Sequence, residues 1–355
     1  MAKVLMIGNE ALGEAAIRAG CRYFFGYPIT PQSELPHYLA KRLPEVGGVF
    51  LQAESEIAAI NMVYGASGAG ARVMTSSSSV GISLKMEGIS FMAAAELPCV
   101  IVNIVRGGPG LGGIQAAQSD YFQAVKGGGH GDYHLLVLAP ASVQELADLT
   151  VKAFDLADKY RNPVMILGDG ILGQMMEPVE FPTMEVKNLP VKPWATDGAK
   201  GRQPNKIKTL YLEPEELEGL NLKLFEKYRL MKEQETLAEN YQTADAEVIV
   251  VSYGSTARIC KAAVDLARTK GIKAGLFRPI TLFPFPEKEL NLACVQASRI
   301  LTVEMSMGQM IEDVKLALNC RLPVSFYGRV GGMIPTARAI FNEIVKLSTK
   351  GGKKQ

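Results

Sequence analysis

Two short stretches of the sequence place reactive side chains where the backbone is constrained. Thr30 stands between Pro28 and Pro31. Because proline fixes its own φ and restricts the residue before it, the threonine is predicted to be held rigidly at the start of a helix. Glu54 and Glu56 open an otherwise apolar helical stretch. A first-turn carboxylate is often only a partner of the helix dipole, and the alternative is a buried glutamate that relays a proton.

Three loops rich in small residues follow predicted strands. They are Thr-Ser-Ser-Ser-Ser at 75–79, Arg-Gly-Gly-Pro-Gly-Leu-Gly-Gly at 106–113 and Gly-Gly-Gly-His-Gly-Asp-Tyr at 127–133. Ligands of open parallel sheets bind beyond the carboxyl ends of the strands. Flexible turns are the simpler interpretation, but so many glycines favour the close approach of a ligand or partner to the backbone.

Other chemistries are less well supported by the spacing of residues. Residues 108–113 fit G-x-G-x-x-G, but they follow a late strand and contain proline, so a nicotinamide site is only a weak alternative. The chain lacks a G-K-[ST] phosphate loop and a G-x-S-x-G elbow. His130 and His134 lie in a glycine loop, which makes a metal site improbable. Five scattered cysteines without C-x-x-C argue against a zinc ribbon or a self-contained iron–sulfur cluster.

The composition is that of an ordinary folded chain of 355 residues with a formal net charge of +2. This balance gives no general reason to expect nucleic acid or an anionic membrane as a partner. The first residues do not resemble a signal peptide. Glu96 and Pro98 interrupt the most apolar stretch, so no membrane span is expected. We therefore expect a cytoplasmic protein.

Short apolar runs alternate with helical patterns along most of the chain, which predicts an α/β fold with parallel strands. The predicted strands are 4–7, 49–52, 72–75, 99–104, 135–138, 164–167, 248–252, 273–277, 300–303 and 324–327. The predicted helices are 10–19, 56–67, 82–95, 143–156, 257–269, 309–319 and 336–346.

A charged stretch separates two such regions. Residues 1–181 are predicted to form one α/β domain and residues 246–355 a smaller one. Between them, residues 182–245 form a charged connector, predicted to be extended over 182–210 and to form a solvated helix over 213–240.

Several motifs occur together in an order that resembles a known family. They are Tyr-Pro-Ile-Thr-Pro at 27–31, Glu-Ser-Glu at 54–56, Glu-Leu-Pro at 96–98 followed by a strand into Arg-Gly-Gly-Pro at 106–109, Gln-Ser-Asp-Tyr at 118–121, Val-Ser-Tyr-Gly-Ser at 251–255, Arg-Pro at 278–279, Phe-Pro-Phe-Pro at 283–286 and Val-Glu-Met-Ser-Met-Gly-Gln at 303–309. Nearly the whole chain resembles the α chain of thiamine-diphosphate-dependent 2-oxoacid:ferredoxin oxidoreductases.

The resemblance implies a fold and roles for three residues. Residues 1–181 would be the domain that binds the pyrimidine of thiamine diphosphate, and residues 246–355 would resemble the C-terminal domain of transketolase. Glu56 matches the glutamate that binds the pyrimidine N1′ and relays a proton, with Glu54 as the rival position. Thr30 matches a threonine that lies against cofactor and substrate. Arg106 matches an arginine that binds the substrate carboxylate, which suits a planar guanidinium, although a structural ion pair is the alternative.

Parts of the family's machinery are missing from this sequence. Gly-Asp-Gly at 168–170 lacks the later asparagine of the diphosphate and Mg²⁺ motif, and no ferredoxin-type cysteine run is present. The resemblance therefore implies that thiamine diphosphate is shared with a β subunit. Mg²⁺ and [4Fe-4S] clusters would lie on partner chains, among them a γ subunit and a ferredoxin-like δ subunit.

The implied reaction is oxidative decarboxylation of a 2-oxo acid with CoA to acyl-CoA, CO₂ and reduced ferredoxin. The loops at 26–32, 107–112 and 128–133 most resemble the branched-chain (3-methyl-2-oxobutanoate) type. A 2-oxoglutarate enzyme would need a second basic group for the distal carboxylate, and these loops offer none. Two alternatives remain: a 2-oxoglutarate:ferredoxin oxidoreductase α subunit, and a scaffolding subunit without chemistry.

Overall fold

The computed structural model describes residues 3–181 and 189–349. The strands, in chain order, are β1 (Val4–Ile7), β2 (Tyr23–Gly26), β3 (Val49–Gln52), β4 (Val73–Ser77), β5 (Cys99–Val105), β6 (Leu136–Leu138), β7 (Pro163–Asp169), β8 (Met176–Val179), β9 (Ala238–Tyr241), β10 (Val248–Val251), β11 (Ala274–Pro279), β12 (Thr281–Phe283), β13 (Arg299–Glu304) and β14 (Val324–Gly328). The helices are α1 (Gly8–Arg18), α2 (Glu34–Glu45), α3 (Glu56–Gly68), α4 (Val80–Ala94), α5 (Tyr121–Val125), α6 (Val143–Tyr160), α7 (Gly170–Gln174), α8 (Pro214–Gln234), α9 (Gly254–Thr269), α10 (Glu287–Ala293), α11 (Met310–Ala317) and α12 (Ala337–Thr349). The predicted α/β fold is confirmed.

The larger sheet has the strand order β12-β6-β7-β5-β4-β2-β3. Strand β12 pairs with β6 in the antiparallel direction, and the other neighbours are parallel. Strands β4, β5 and β7 are buried along their whole length. Such continuous burial is typical of parallel strands covered by helices on both faces. The carboxyl ends of these strands therefore open on one edge of a rigid sheet.

The second sheet has the order β14-β13-β10-β11-β9, with β9 antiparallel to β11. Its small core is made by β10, β11 and β13 against α9 and α12. The connector differs from its prediction, because the helix predicted over 213–240 ends at Gln234 and residues 238–241 form β9. Residues 189–210 contain neither helix nor strand, and residues 182–188 of the predicted connector lie outside the described residues.

The two sheets exchange strands across the predicted boundary at residue 246. Strand β9, which comes before that boundary, pairs with β11 of the second sheet. Strand β12, which comes after it, returns to the edge of the larger sheet beside β6. The division at residues 182 and 246 stays a prediction, and the two sheets it separates share these strands.

The first predicted strand lies outside the parallel sheet. Strand β1 pairs with β8 in a separate antiparallel ribbon, and Val4 and Leu5 are exposed. We expected residues 4–7 to join the alternation of parallel strands, and this expectation is wrong. Among the described residues, no helix is long and apolar enough to cross a membrane.

Candidate active site

The candidate site lies where the strand order of the larger sheet reverses. From β2 the chain moves outward to β3, then returns to β4 on the other side of β2 and continues to β5. Ligand crevices of open α/β sheets form at such points, beyond the carboxyl ends of the strands. The segments that follow β2, β4 and β5 carry Thr30, the serine run and Arg106. The fold therefore brings these three segments to one edge.

The two candidate glutamates have different environments. Glu56 is 6% exposed, whereas Glu54 faces solvent. Ser55, between them, caps α3, and its Oγ accepts the Ala58 N–H at 3.2 Å. A Cβ placed on Gly81 of α4 would lie 2.5 Å from Glu56 Oε1 and would also overlap Ser77 Oγ. The buried carboxylate of Glu56 thus lies at the junction of β4 and α4.

The serine run is buried at the end of β4. Ser76, Ser77 and Ser78 are 0% exposed, and Ser76 Oγ donates to Gln32 Oε1 at 2.5 Å. Gln32 belongs to the segment after β2. This hydrogen bond therefore crosses the point at which the strand order reverses, and it joins the Thr30 segment to the serines.

Ser79 has a backbone conformation that non-glycine residues rarely adopt, with φ 39°. Its N–H donates to Asn103 Oδ1 at 3.0 Å, and its Oγ accepts the Arg106 N–H at 3.1 Å. Asn103 Nδ2 in turn donates to Asp120 Oδ2 at 2.9 Å, and burial raises the pKa of Asp120. Such strain costs on the order of 1–3 kcal/mol and is concentrated at functional sites. The network fixes the loop after β4 to the loop after β5.

Thr30 lies in a turn, and α2 begins four residues later at Glu34. The expectation that Thr30 stands at the start of the helix is therefore wrong. The residue is exposed at the edge of the sheet, and its carbonyl accepts the Arg106 Nη1–H at 3.0 Å. Thr30 and Arg106 are thus in direct contact through the backbone of the threonine.

Arg106 is 6% exposed, at the beginning of the first glycine-rich loop. Besides Thr30, its guanidinium reaches the Leu111 carbonyl, with Nη2 at 3.1 Å from the oxygen. Among the described residues its Nε has no hydrogen-bond partner. No carboxylate of the described residues lies within 4.0 Å of the guanidinium, so a structural ion pair is not its role there.

Lys85 is a residue of this region that sequence reasoning missed. It lies on α4 and is 0% exposed, and its ammonium donates to Thr75 Oγ1 and to the Ser76 carbonyl, 3.1 Å away. Burial lowers the pKa of Lys85 to about 7, and the charge of Glu56 opposes this shift. The sequence signal was a single cation in the apolar run Val-Gly-Ile-Ser-Leu-Lys-Met at 80–86.

Other motifs of the resemblance hold the two sheets together. Gln118 Nε2 donates to the Tyr253 carbonyl at 2.9 Å, and its Oε1 accepts from Thr256 Oγ1 at 2.9 Å and from Met305 N at 3.0 Å. Glu304 accepts the N–H groups of residues 309–311 and so caps α11. These residues stabilise the interface and the second domain.

Asp169, in the Gly-Asp-Gly sequence, has a structural role. Its Oδ1 accepts the N–H groups of Ile171 and Leu172 at 3.0 and 3.1 Å, and its Oδ2 accepts from Ser255 Oγ at 2.5 Å. The glycine loop at 108–113 is not followed by a helix, since α5 begins only at Tyr121. A dinucleotide fingerprint must open a helix, and the described residues that directly follow 108–113 form none.

The residues at this edge suit a polar cofactor such as thiamine diphosphate. Among the described residues, four buried atoms near the reversal point have no hydrogen-bond partner: Gln32 Nε2, Ser77 Oγ, Ser78 Oγ and Arg106 Nε. Buried polar groups without partners are costly. A heteroaromatic ring with ring nitrogens and an amino group would supply both donors and acceptors to such atoms.

Comparison with protein families identifies the two parts of the chain. Residues 14–249 match the family described as pyruvate flavodoxin/ferredoxin oxidoreductase, thiamine diphosphate binding. Residues 246–340 match core domain II of pyruvate:ferredoxin oxidoreductase. The two matches together cover nearly all of the described chain.

Curated relatives agree with this assignment. The chain is 52% identical over 348 residues to the ketoisovalerate oxidoreductase subunit VorB of Methanothermobacter marburgensis, covering 98% of this chain and 99% of that protein. It is 40% identical over 334 residues to the 2-oxoglutarate synthase subunit KorA of Archaeoglobus fulgidus, covering 91% of this chain and 94% of the relative.

Solved structures also support this family assignment. The 2-oxoglutarate:ferredoxin oxidoreductase of Magnetococcus marinus superimposes with a TM-score of 0.88 at 28% identity, over 97% of this chain and 65% of that one. A split-gene transketolase shares the fold, with a TM-score of 0.62 at 16% identity. The resemblance predicted from the motifs is confirmed, and the chain belongs to the thiamine-diphosphate-binding pyruvate flavodoxin/ferredoxin oxidoreductase family, as an oxidoreductase subunit of the 2-oxoacid:ferredoxin type.

Proposed function

We propose that this chain is the α subunit of a branched-chain 2-oxoacid:ferredoxin oxidoreductase, which converts 3-methyl-2-oxobutanoate and CoA to acyl-CoA, CO₂ and reduced ferredoxin. The observation that carries the chemistry is the buried Glu56 at the same sheet edge as Arg106 and Thr30. The substrate class rests on the 52% identity to a ketoisovalerate oxidoreductase subunit.

Each residue has a distinct part in the proposed reaction. Thiamine diphosphate, when bound, accepts the electron pair left on the substrate carbon as CO₂ departs. Glu56 holds and exchanges a proton at the pyrimidine N1′. Its burial keeps water away from this proton exchange. Arg106 Nε, which has no partner among the described residues, is the donor available to the substrate carboxylate. Thr30 orients the guanidinium through its carbonyl and would lie against cofactor and substrate.

The charge of the glycine-rich loop favours a substrate with one carboxylate. Arg106 is the only charged side chain within residues 106–113. A second carboxylate, as in 2-oxoglutarate, would be buried without a cation from this loop, and unpaired buried charges are costly. The relatives named for 2-oxoglutarate are also less similar, at 40% identity or below.

Partner chains complete the proposed enzyme. We propose a β subunit that binds the diphosphate and Mg²⁺, with γ and ferredoxin-like δ subunits and their [4Fe-4S] clusters. Asp169 supports a separate diphosphate site, because its carboxylate already binds the start of α7 and Ser255. Four of the five cysteines are buried, which does not suit a cluster open to ferredoxin. The composition supports a cytoplasmic location.

Apolar side chains beside the site support a protein partner on this side of the sheet. Ile57 and Met62 of α3 and Leu84 and Phe91 of α4 are exposed, with Ile57 51% and Leu84 49% accessible. Exposed apolar side chains on neighbouring helices are typical of interaction surfaces. Because α3 also carries Glu56, a β subunit seated there would enclose the cofactor between the two chains.

Glu56→Gln in the assembled complex tests the proposal. Loss of a proton relay should lower turnover by about 10²–10⁴, whereas Glu54→Gln, the matched change at an exposed position, should stay within about twofold of wild type. The measurement is viologen reduction with CoA and a series of 2-oxo acids. Near-normal turnover of Glu56→Gln would favour the scaffolding alternative, and a preference for 2-oxoglutarate would contradict the substrate class.

A further inference from the structure

Helix α4 carries a lysine in an environment that lysines rarely occupy. Lys85 is 0% exposed, although lysines are almost never fully buried unless a charged partner accompanies them. Among the described residues no carboxylate lies within 4.0 Å of its ammonium. The ammonium has three N–H donors, and two are assigned, to Thr75 Oγ1 and to the Ser76 carbonyl. The lysine is therefore held by the last residues of β4.

The position of Lys85 on its helix directs it toward the candidate site. It lies one turn after Gly81, and residues four apart share a face of an α-helix. The Cβ position of Gly81 is within contact distance of Glu56 Oε1 and Ser77 Oγ. Among the charges that act on the lysine, Glu56 is the strongest. Lys85 and Glu56 thus belong to one buried polar cluster at the junction of β4 and α4.

We propose that Lys85 is a positioning residue for the thiamine diphosphate site: it fixes the end of β4 through Thr75 and Ser76, and it places a buried positive charge near Glu56. This inference rests on the proposed role of Glu56. It adds a buried titrating lysine to the site, one that touches neither cofactor nor substrate.

The physical basis is the coupling of two opposite charges in a region shielded from water. Burial lowers the pKa of Lys85 to about 7, so its charge changes near neutral pH. Its other titratable neighbour is Cys99 of β5, and burial raises the pKa of that thiol so that it stays uncharged. A cation favours ionised groups near it, so loss of the charge of Lys85 should be felt at this edge of the sheet.

Replacing the lysine in the assembled complex tests the inference. In Lys85→Met, loss of the buried cation should move the acid limb of the kcat/KM–pH profile to higher pH, because a cation stabilises ionised groups near it. The pH dependence of the dissociation constant for thiamine diphosphate should move in the same direction. Lys85→Arg should restore both profiles toward wild type. The matched control is Lys288→Met, which removes an exposed cation and should change neither profile.

A second variant covers the case in which Lys85→Met does not assemble. Thr75→Val leaves the lysine in place but removes one of its two acceptors, so it should shift both profiles in the same direction by a smaller amount. Unchanged profiles in whichever of the two variants assembles would overturn the inference. That result is distinct from failure of the proposed function, which would show as retained turnover in Glu56→Gln.

Discussion

The guanidinium of Arg106 is bound to two carbonyls that lie in different loops. Nη1 donates to Thr30 and Nη2 to Leu111, so the side chain joins the loops, while its Nε has no partner among the described residues. A guanidinium presents such donors in a rigid fork, whereas an ammonium is a point charge on a flexible stem. Charge alone is therefore not sufficient at this position.

Arg106→Ala and Arg106→Lys should both raise KM for the 2-oxo acid, with a smaller change in kcat. Lost hydrogen bonds to a charged group are worth about 1.5–3 kcal/mol, which corresponds to roughly 10- to 100-fold in KM. Lysine should recover only part of the loss because it cannot reach both carbonyls and the substrate. Steady-state kinetics measure the effect, with the exposed Arg321→Ala as control. An unchanged KM would contradict the carboxylate role.

The stability of the complex should depend on pH through Lys85. Its pKa falls from 10.5 to about 7 on folding, so between these values the unfolded chain binds more protons. Stability from this group therefore rises as pH increases from about 7 toward 10.5, and is lost as pH falls toward 7. Thermal unfolding of wild type and Lys85→Met across this range measures it. Parallel curves for the two proteins would show that the lysine is not buried in the complex.

At the level of elements, the close approach of α3 and α4 requires glycine at position 81. A side chain there would overlap Ser77 Oγ and come within 2.5 Å of Glu56 Oε1. Gly65, on α3, has no heavy atom within 4 Å of its Cβ position. Packing therefore requires the glycine at position 81 but not the glycine at position 65.

Gly81→Ala should destabilise the protein by about 1–3 kcal/mol, the usual cost of overpacking, and should weaken thiamine diphosphate binding because Glu56 must move. Gly65→Ala, the matched change, should stabilise α3 by about 0.5–1 kcal/mol. Chemical unfolding and cofactor titration of the assembled complex measure both effects. Equal stabilities of the two variants would refute the packing argument.

Local sequence was sufficient for strands that are apolar runs in their own right and not for strands that depend on a distant partner. Strands β5 and β7 were predicted because residues 164–167 form an apolar run and residues 99–104 form one interrupted only by Asn103. Strands β9 and β12 were not, because each is short and forms only through a distant partner, β11 and β6 respectively. The helix predicted to reach residue 240 ends at Gln234 because Leu237 N donates instead to Thr281 Oγ1 at 2.9 Å.

The residues of the candidate site were likewise only partly predictable from local sequence. Glu56 and Arg106 were found through motifs, and burial then separated Glu56 from Glu54, a distinction that spacing cannot make. Lys85 was missed, since one lysine in an apolar helix resembles a surface residue until the neighbouring elements are packed. The role of Gln118 depends on residues more than 130 positions away, which no local pattern predicts.

At the level of the whole molecule, buried polar contacts fix the second sheet against the first. Gln118 satisfies three groups of the second domain, and Arg278, which is 4% exposed, binds Glu145 of α6 and Glu239 of β9. Because Gln118 and its three partners are buried together, removing the glutamine leaves those partners without hydrogen bonds. The interface should therefore be sensitive to single substitutions.

Gln118→Ala should lower the unfolding temperature by several degrees, since each buried group left without a partner costs about 1–3 kcal/mol. Gln203→Ala, at an exposed position of the connector, should leave it within about one degree. Differential scanning calorimetry of the complex measures both. Equal midpoints would mean that Gln118 does not hold the interface.

The exchange of strands β9 and β12 has a consequence for how such a chain can be inherited. Gene fission between residues 245 and 246 would leave the larger sheet without β12, and would leave β6, buried along its length, as an open edge. An uncovered apolar edge invites aggregation. The two domains are therefore expected to pass through gene rearrangements as one unit.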